Sequence, residues 1–301
     1  MSRPLTLLTV NGHPDDETTA CGATMARYAA EGVRVVCVVA TLGEVGRIVL
    51  PDLDTTENRA RLGEIRLQEL ERALRRLGSI EYRLLGYRDS GMMGTKENND
   101  PRCFWQADLD EAAGRLVRIV RAVRADVILG PNSFGGDGHP DHIRASQIAA
   151  LAFERSGSPD AYREQLAASD LEPWTPAKLY ESLNQFGRGE KLARALAHGG
   201  LGGLFPIVLR VARHWTPGRE RLRRRMAAAQ GPRTTRVDVG PYLEAKYAAM
   251  AEHRTQIPAD ADLFALTAEE RRRVSPTDDF TLVQSRVETP LPEEDLFAGL
   301  R

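Results

Sequence analysis

The sequence has few cysteines, no long apolar run and almost no net charge. Its three cysteines, Cys21, Cys37 and Cys103, are odd in number and widely spaced, which argues against a disulfide framework and favours a reducing compartment. No apolar run reaches the about 18 residues of a membrane-spanning helix, and the early run PLTLLTV is too short for a secretory leader. A net charge of -1 gives no overall field toward nucleic acid or anionic lipid. We therefore expect a cytoplasmic protein without a nucleic-acid partner and without stable membrane insertion.

The composition is that of an ordinary globular protein. Hydrophobic residues make up 42% and charged residues 28% of the 301 positions, which allows one large domain or two small ones. Because the sequence shows no internal repeat and no low-complexity linker, we expect a single domain over residues 1–301. Residues 1–160 are expected to form its α/β core, and residues 161–301 a C-terminal cap.

Strand and helix patterns alternate through the first half of the chain. The apolar runs predict strands at 5–10, 33–40, 82–85 and 127–129. Helical spacing of apolar residues and helix breakers predict helices at 18–30, 57–77, 109–123 and 140–155. This rhythm is typical of right-handed crossovers and predicts a doubly wound, mostly parallel, Rossmann-like α/β sheet.

The second half is less regular. We predict strands at 178–183 and 234–239, a helix at 242–253 and a proline-rich tail. Between them, residues 201–226 join an apolar stretch to a basic helix. This segment could touch a membrane surface, but a packed helix or an oligomer contact with a solvated arginine face is the favoured interpretation. A homo-oligomer is therefore possible.

Two unusual loops follow predicted strands. The first reads HPDDE at 13–17, and the second reads GGDGHPDH at 135–142. In the commonest doubly wound order, 3-2-1-4, the first and fourth strands are neighbours, and the loops after them line one crevice. We therefore expect the two motifs to face each other, although they lie far apart in the sequence.

The two motifs together carry the residues of a catalytic zinc site. His13 and Asp16 lie one helical turn apart, and His142 can supply a third ligand from the opposite loop. Two histidines and one carboxylate, with a position left for water, are a catalytic zinc composition, and one ion per chain is expected. Asp15 is then placed as a general base for the water. Glu17 could brace the helix start or a histidine.

Other interpretations of these residues are open. HPDDE alone could be a capped helix start with acids favoured by the helix dipole. A site of two histidines and one carboxylate also occurs in non-heme iron oxygenases, although generally on all-β folds, so the metal could be zinc or ferrous iron. A non-catalytic metal-binding or sugar-binding module is a third possibility, against which the additional carboxylate of Asp15 argues.

Several motifs together resemble a known family. They are HPDDE (13–17), TLGEVG (41–46), R-x-x-E-L (66–70), YRDSGM (87–92), GHPDH (138–142) and AKYAAMAEHRTQI (245–257). With them the chain resembles the LmbE-like, PIG-L type zinc-dependent N-acetylglucosaminyl deacetylases, nearest the mycothiol-pathway branch of deacetylase and conjugate amidase. The resemblance implies a hydrolase that removes the N-acetyl group of an N-acetylglucosamine-type small-molecule substrate. The alternative it leaves is an amidase acting on a thiol–sugar conjugate.

The resemblance also implies roles for individual residues. The family's metal ligands correspond to His13, Asp16 and His142, and its general base corresponds to Asp15. The histidine that stabilises the tetrahedral oxyanion corresponds to His139, which we expect to act in its protonated form.

Substrate contacts are implied in the same way. The sugar-contacting arginine and aspartate correspond to Arg66 and Asp89, with Met92 beside them in the pocket. Asp137 is a departure, because the mycothiol deacetylase has a tyrosine there, and a carboxylate accepts hydrogen bonds where a phenol can donate one. The residues after HPDDE read TTACG, whereas the conjugate amidase has a lysine just beyond its motif, which weakens the amidase alternative. We therefore expect Asp137 to influence the choice of substrate.

Overall fold

The computed structural model describes residues 3–168, 170–183, 230–258, 264 and 266–301. The predictions for residues 201–226 fall outside these ranges. Among the described residues, no helix combines the length and the apolar character that crossing a membrane requires. All three cysteines are buried and free.

One sheet of seven strands organises the described chain. Its strands are β1 (Thr6–Asn11), β2 (Arg34–Thr41), β3 (Ile80–Tyr87), β4 (Val127–Gly130), β5 (Lys178–Ser182), β6 (Thr235–Asp238) and β7 (Thr277–Ser285). The order across the sheet is β3-β2-β1-β4-β5-β7-β6. The first five strands pair in parallel, and β7 pairs antiparallel with both β5 and β6. The predicted mostly parallel sheet and its 3-2-1-4 order are confirmed.

Helices cover both faces of the sheet. They are α1 (Asp16–Ala30), α2 (Thr56–Ala60), α3 (Leu62–Leu77), α4 (Leu109–Val123), α5 (Pro140–Arg155), α6 (Arg163–Ala167), α7 (Leu243–Met250) and α8 (Ala268–Val274). Successive residues of β1 point to opposite faces. Leu7 joins an apolar cluster with Met25 of α1 and Leu70 of α3, whereas Leu8 joins a second cluster with Leu116 of α4. The two clusters explain why β1 is buried along its whole length.

The helix predicted at 57–77 is two helices. Thr55 caps α2 by accepting a hydrogen bond from the Asn58 backbone N–H at 3.1 Å. Arg61 then leaves helical geometry, with φ -116° and ψ 16°, before α3 begins. Apolar spacing cannot detect such a break because it involves the backbone of a single residue between two helical segments.

The described C-terminal residues contribute three strands to the sheet. Strand β7 lies in the segment that the sequence suggested was a proline-rich tail, and it joins β5 to β6. Its pattern was missed because two carboxylates, Asp278 and Asp279, interrupt the apolar residues. Asp278 is nevertheless buried, and it accepts a hydrogen bond from the Thr24 hydroxyl of α1 at 2.9 Å. The sheet therefore includes strands from both halves of the described chain, and the single domain stays a prediction.

Candidate active site

The two motif loops meet at the carboxyl ends of β1 and β4. HPDDE occupies the turn from β1 into α1, and HPDH opens α5. Gly12 lies where the loops approach most closely, because a Cβ at this position would come 2.6 Å from Cδ2 of His142. The predicted crevice therefore exists, and a glycine permits it.

Three side chains at this crevice form a candidate metal centre. His13 Nδ1 lies 3.2 Å from His142 Nε2 and 3.6 Å from Asp16 Oδ2. The third separation, His142 Nε2 to Asp16 Oδ2, is 3.1 Å. A tetrahedral zinc ion with bonds of about 2.0–2.1 Å would separate its ligand atoms by about 3.3 Å. The three atoms thus have the spacing of one face of a zinc tetrahedron, and the residues present fit the ion.

A second grouping, His13 with His139 and Asp141, also has metal-ligand spacing. Asp141 is better suited to orient His13, because its Oδ2 accepts a hydrogen bond from His13 Nε2 at 3.1 Å. The Ser90 backbone N–H donates to the same oxygen at 3.0 Å, and the Ser90 hydroxyl donates to Oδ1. A buried carboxylate on the far nitrogen of a ligating histidine fixes the tautomer of the ring.

The ring of His142 is oriented in a comparable way. Its Nδ1 lies 3.2 Å from the carbonyl oxygen of Gly135 and can donate to it, which leaves Nε2 for the metal. Asp141 and Ser90 are not among the site residues predicted from the sequence. The position of Asp141 inside HPDH, between two candidate histidines, was the signal that could have identified it.

The charges of the centre compensate one another. Burial alone would raise the pKa of Asp16, but the positive charge of His142 and hydrogen bonds with both histidines lower it well below its usual value. Burial alone would lower the pKa of His13, but hydrogen bonds to Asp141, Asp16 and Asp89 raise it well above its usual value. Protons and a cation therefore compete for the same atoms, which makes metal affinity depend on pH.

Asp15 lies beside this centre in an unusual backbone conformation. Its φ of 117° and ψ of -26° fall in a left-handed region that non-glycine residues rarely adopt. Its Oδ1 accepts a hydrogen bond from Arg66 Nη2 at 3.2 Å. Burial raises the pKa of Asp15 to about 6, against the opposing charge of Arg66. A carboxylate with a pKa near neutrality beside a metal centre is suited to general-base catalysis.

The predicted sugar-contacting residues are buried among protein groups. Arg66 is 4% exposed and also donates to the carbonyl oxygen of Pro14 at 2.6 Å. Asp89 accepts a hydrogen bond from the Gly91 backbone N–H at 2.8 Å, and its Oδ1 lies 3.6 Å from His13 Nε2. Met92 is 43% exposed on the surface. The structure thus brings Arg66 to Asp15 and Asp89 to His13, and their contacts with a sugar stay predictions.

His139 caps α5 and faces His13 and His142, the two candidate ligands. Its Nδ1 accepts a hydrogen bond from the Asp141 backbone N–H at 3.2 Å, which leaves the proton of a neutral ring on Nε2. Its ring centroid lies 4.5 Å from that of His13 and 5.2 Å from that of His142. Burial and these two neighbours lower the pKa of His139 to about 4. This lowered pKa disfavours the protonated His139 that the resemblance implies, and its role stays a prediction; a neutral ring can still donate from Nε2.

A cavity of about 520 Å³ adjoins the metal centre on the side of β4 and β5. Asp16 and His142 form part of its wall. The other lining residues are Val10, Asn11, Gly12, Thr19, Ala20, Cys21, Leu129, Gly130, Pro131, Gly136, Asp137, Ser182 and Leu183. Within the described parts of the chain, Oδ1 of Asp137 is buried and has no hydrogen-bond partner. An unsatisfied carboxylate oxygen at the wall of a cavity favours a hydrogen-bond donor inside it.

Proteins of known family are similar to this chain. The sequence profile of PIG-L, described as GlcNAc-PI de-N-acetylase, matches residues 8–153. The 1D-myo-inositol 2-acetamido-2-deoxy-alpha-D-glucopyranoside deacetylase of Streptomyces scabiei is 40% identical, over 98% of this chain and 89% of its own length. The chain belongs to the PIG-L family. The family predicted from the motifs is confirmed, and so is the enzyme class, a deacetylase.

Solved structures share the fold. N,N'-diacetylchitobiose deacetylase from Pyrococcus horikoshii has a TM-score of 0.61 at 20% identity, covering 92% of this chain and 83% of its own. GalB, the 4-carboxy-2-hydroxymuconate hydratase from Pseudomonas putida, has a TM-score of 0.60 at 17% identity, covering 95% and 99%. The same fold thus carries both a deacetylase and a hydratase, so the reaction has to be argued from the site.

Proposed function

We propose that this chain removes the N-acetyl group from N-acetylglucosamine linked to inositol or to a similarly neutral aglycone, releasing acetate and the free amine. The observation that carries the proposal is the His13, Asp16 and His142 cluster with Asp15 beside it, in a PIG-L family chain. The 40% identical Streptomyces relative, named as an inositol-glucosaminide deacetylase, supports the choice of substrate.

The chain's own residues divide the reaction between them. A bound Zn²⁺, one per chain, would supply Lewis-acid activation of water and of the acyl oxygen, with Fe²⁺ as the alternative ion. Asp15 takes the proton from the attacking water and then returns it to the departing amine. His139 donates from Nε2 to the oxygen that becomes negatively charged, a contribution that preorganised donors make in acyl transfer. Each cycle breaks the amide C–N bond and yields a carboxylate and an amine.

Substrate groups would bind on both sides of the centre. We place the sugar ring toward Arg66, Asp89 and Met92, on the side of β2 and β3, and the aglycone toward Asp137 and the cavity. The unpartnered Oδ1 of Asp137 would accept a hydroxyl donor and repel an anion. One like-charge contact at about 4 Å and an effective dielectric near 20 costs up to about 4 kcal/mol before screening. A neutral inositol is therefore favoured over a malate aglycone.

A panel of N-acetylated sugars tests the proposal. Acetate release would be measured for inositol-linked, malate-linked and simple N-acetylglucosamine, together with a thiol–sugar conjugate. We expect the highest kcat/KM for a neutral glucosaminide. The Asp15→Asn control should release acetate at no more than about 1% of the wild-type rate. Absence of acetate from every sugar would refute the deacetylase proposal, and preference for the conjugate would favour the amidase.

The same panel tests the aglycone assignment. Asp137→Asn keeps the shape of the side chain and removes its charge. The ratio of kcat/KM for the inositol-linked substrate to kcat/KM for the malate-linked substrate should therefore fall about tenfold or more, a change of about 1.4 kcal/mol. An unchanged ratio would show that Asp137 does not meet the aglycone.

A further inference from the structure

Glu17 and His253 form a fully buried pair that the proposed mechanism does not use. His253 Nε2 lies 2.8 Å from Glu17 Oε1, and both side chains are 0% exposed. The pair joins the first turn of α1 to the turn that follows α7. Because buried ionic pairs seldom stabilise a fold more than apolar residues would, its placement calls for another explanation.

The second oxygen of Glu17 contacts the proposed base. Oε2 accepts a hydrogen bond from the backbone N–H of Asp15 at 2.8 Å. This N–H belongs to the residue with φ 117°, where a non-glycine backbone is strained. A strained backbone conformation persists only when its surroundings hold it. Glu17 contributes by accepting the hydrogen bond of the Asp15 N–H in this conformation. The buried pair therefore acts directly on the turn that carries the Asp15 carboxylate.

The turn that carries His253 is itself fixed to α3. The Thr255 backbone N–H donates to Glu69 Oε1 at 2.9 Å, and the Thr255 hydroxyl donates to Oε2 at 2.6 Å. One helical turn before Glu69, Arg66 donates to Asp15 Oδ1 at 3.2 Å. The contacts close a ring from the backbone of Asp15 through Glu17, His253, Thr255, Glu69 and Arg66 to the carboxylate of Asp15.

We propose that Glu17 and His253 are positioning residues that hold the Asp15 turn, so that its carboxylate stays aimed at the attacking water. The inference rests on the proposed function in taking Asp15 as the base. It adds a contribution from the C-terminal half, because His253 lies 236 residues from its partner.

The test replaces His253 in two ways. His253→Leu removes the donor to Glu17, and we expect kcat to fall about 10- to 100-fold, as when groups that orient a catalytic residue are lost, with KM and zinc per chain unchanged. His253→Gln places an amide N–H near the position of Nε2 and should restore most of the loss. In the metal-free protein, hydrogen exchange of the Asp15 amide should accelerate in His253→Leu and be slow again in His253→Gln.

Lys178→Met is the matched control. It breaks another fully buried ion pair, Lys178 with Glu293, at the opposite end of the strands, and it should destabilise the protein without changing kcat or exchange at Asp15. If His253→Leu does not fold, Glu17→Leu, which removes the acceptor of the Asp15 N–H, carries the same test with the same expected split between kcat and KM.

The outcomes separate the inference from the proposed function. Unchanged kcat and unchanged Asp15 exchange in His253→Leu would overturn the inference, as would an equal loss of kcat in Lys178→Met. If the wild type released no acetate, the proposed function would fail, but the exchange measurement would still decide whether the pair holds the turn.

Discussion

At the scale of single residues, Asp15 and Asp16 show how neighbouring carboxylates acquire different properties. Asp16 lies between two histidines, which outweigh burial and lower its pKa. Asp15 accepts a hydrogen bond from Arg66, but burial outweighs the nearby positive charges and raises its pKa to about 6. A lowered pKa keeps Asp16 ionised for a cation, whereas a pKa near neutrality suits Asp15 to accept and return a proton.

Substitutions should separate these two roles. Asp15→Asn keeps the shape of the site, so we expect zinc to be retained and kcat/KM to fall about 10²- to 10⁴-fold, the usual contribution of a general base. His13→Ala or His142→Ala should lose zinc and activity together. Elemental analysis alongside acetate release measures both properties. Loss of zinc in Asp15→Asn would mean that Asp15 and Asp16 have exchanged roles.

The ionisation of Asp15 should determine the acid limb of the dependence of kcat/KM on pH. The base acts when deprotonated, so kcat/KM rises with pH through the pKa of Asp15. That pKa is about 6 in the protein alone, and a nearby cation would lower it, so the acid limb should lie at or below about pH 6. The limb should disappear in Asp15→Asn.

The basic side of the profile should not depend on His139. Its lowered pKa, about 4, means that it is already neutral where the enzyme works, so His139→Ala should reduce kcat without moving the basic limb. A basic limb that vanished in this variant would show that His139 acts protonated after all.

At the scale of elements, the site depends on how closely the end of β1 approaches the start of α5. Gly12 permits this approach, since an added Cβ would lie 2.6 Å from the His142 ring. The entry into α1 is equally specialised, because Asp15 caps the helix with φ 117° and without a side-chain capping bond. Two short loops therefore carry most of the geometry that the chemistry needs.

Gly12→Ala tests the first loop. The methyl group should displace His142, so we expect zinc affinity to fall at least about tenfold, the range for disturbed ligand orientation, while the fold is kept. Gly32→Ala is a matched control, because its added Cβ meets nothing within 4 Å; its positive φ of 80° still predicts some destabilisation. Zinc titration and circular dichroism measure the two effects, and normal zinc affinity in Gly12→Ala would contradict the argument.

At the scale of the whole molecule, the C-terminal half contacts α1, the helix that begins at the candidate site. His253 reaches Glu17, and Lys246 donates to the carbonyl oxygen of Thr19 at 3.0 Å, next to the kink of α1 at Cys21. At the far end of the sheet, Glu293 accepts hydrogen bonds from Lys178 and from the Tyr180 hydroxyl. Buried polar contacts thus attach the C-terminal half to α1 and, within that half, join Glu293 to β5.

Stability should depend on pH through Glu293. Burial alone would raise its pKa, but hydrogen bonds from Lys178, Tyr180 and other donors lower it. Because the folded pKa is below the unfolded one, the stabilisation is complete above the unfolded value of about 4.3 and is lost as pH falls through the lowered pKa. Glu293→Gln, which leaves the Lys178 charge unpaired, should cost about 3–5 kcal/mol at pH 7.

Urea unfolding of wild type and Glu293→Gln between pH 7 and about pH 3 measures this effect. We expect the difference between the two proteins to shrink at the acid end. A difference that stayed constant over the whole range would show that Glu293 does not contribute through its charge.

The local pattern of the sequence predicted the order of the first four strands and the meeting of the two motif loops. Apolar runs mark the buried strands, and the topology of a doubly wound sheet places the loops after β1 and β4 side by side. The proximity of His13, Asp16 and His142 followed from these two rules, and the family followed from its motifs.

Only the tertiary structure decided how these side chains are held. Asp141 orients His13 across 128 residues, and His253 contacts Glu17 across 236. The pKa of His139 is lowered by burial beside two other imidazoles, and Asp278 can be buried in β7 because Thr24 of α1 donates a hydrogen bond to it. Such properties arise from contacts between distant segments, and periodicity within one segment carries no information about them.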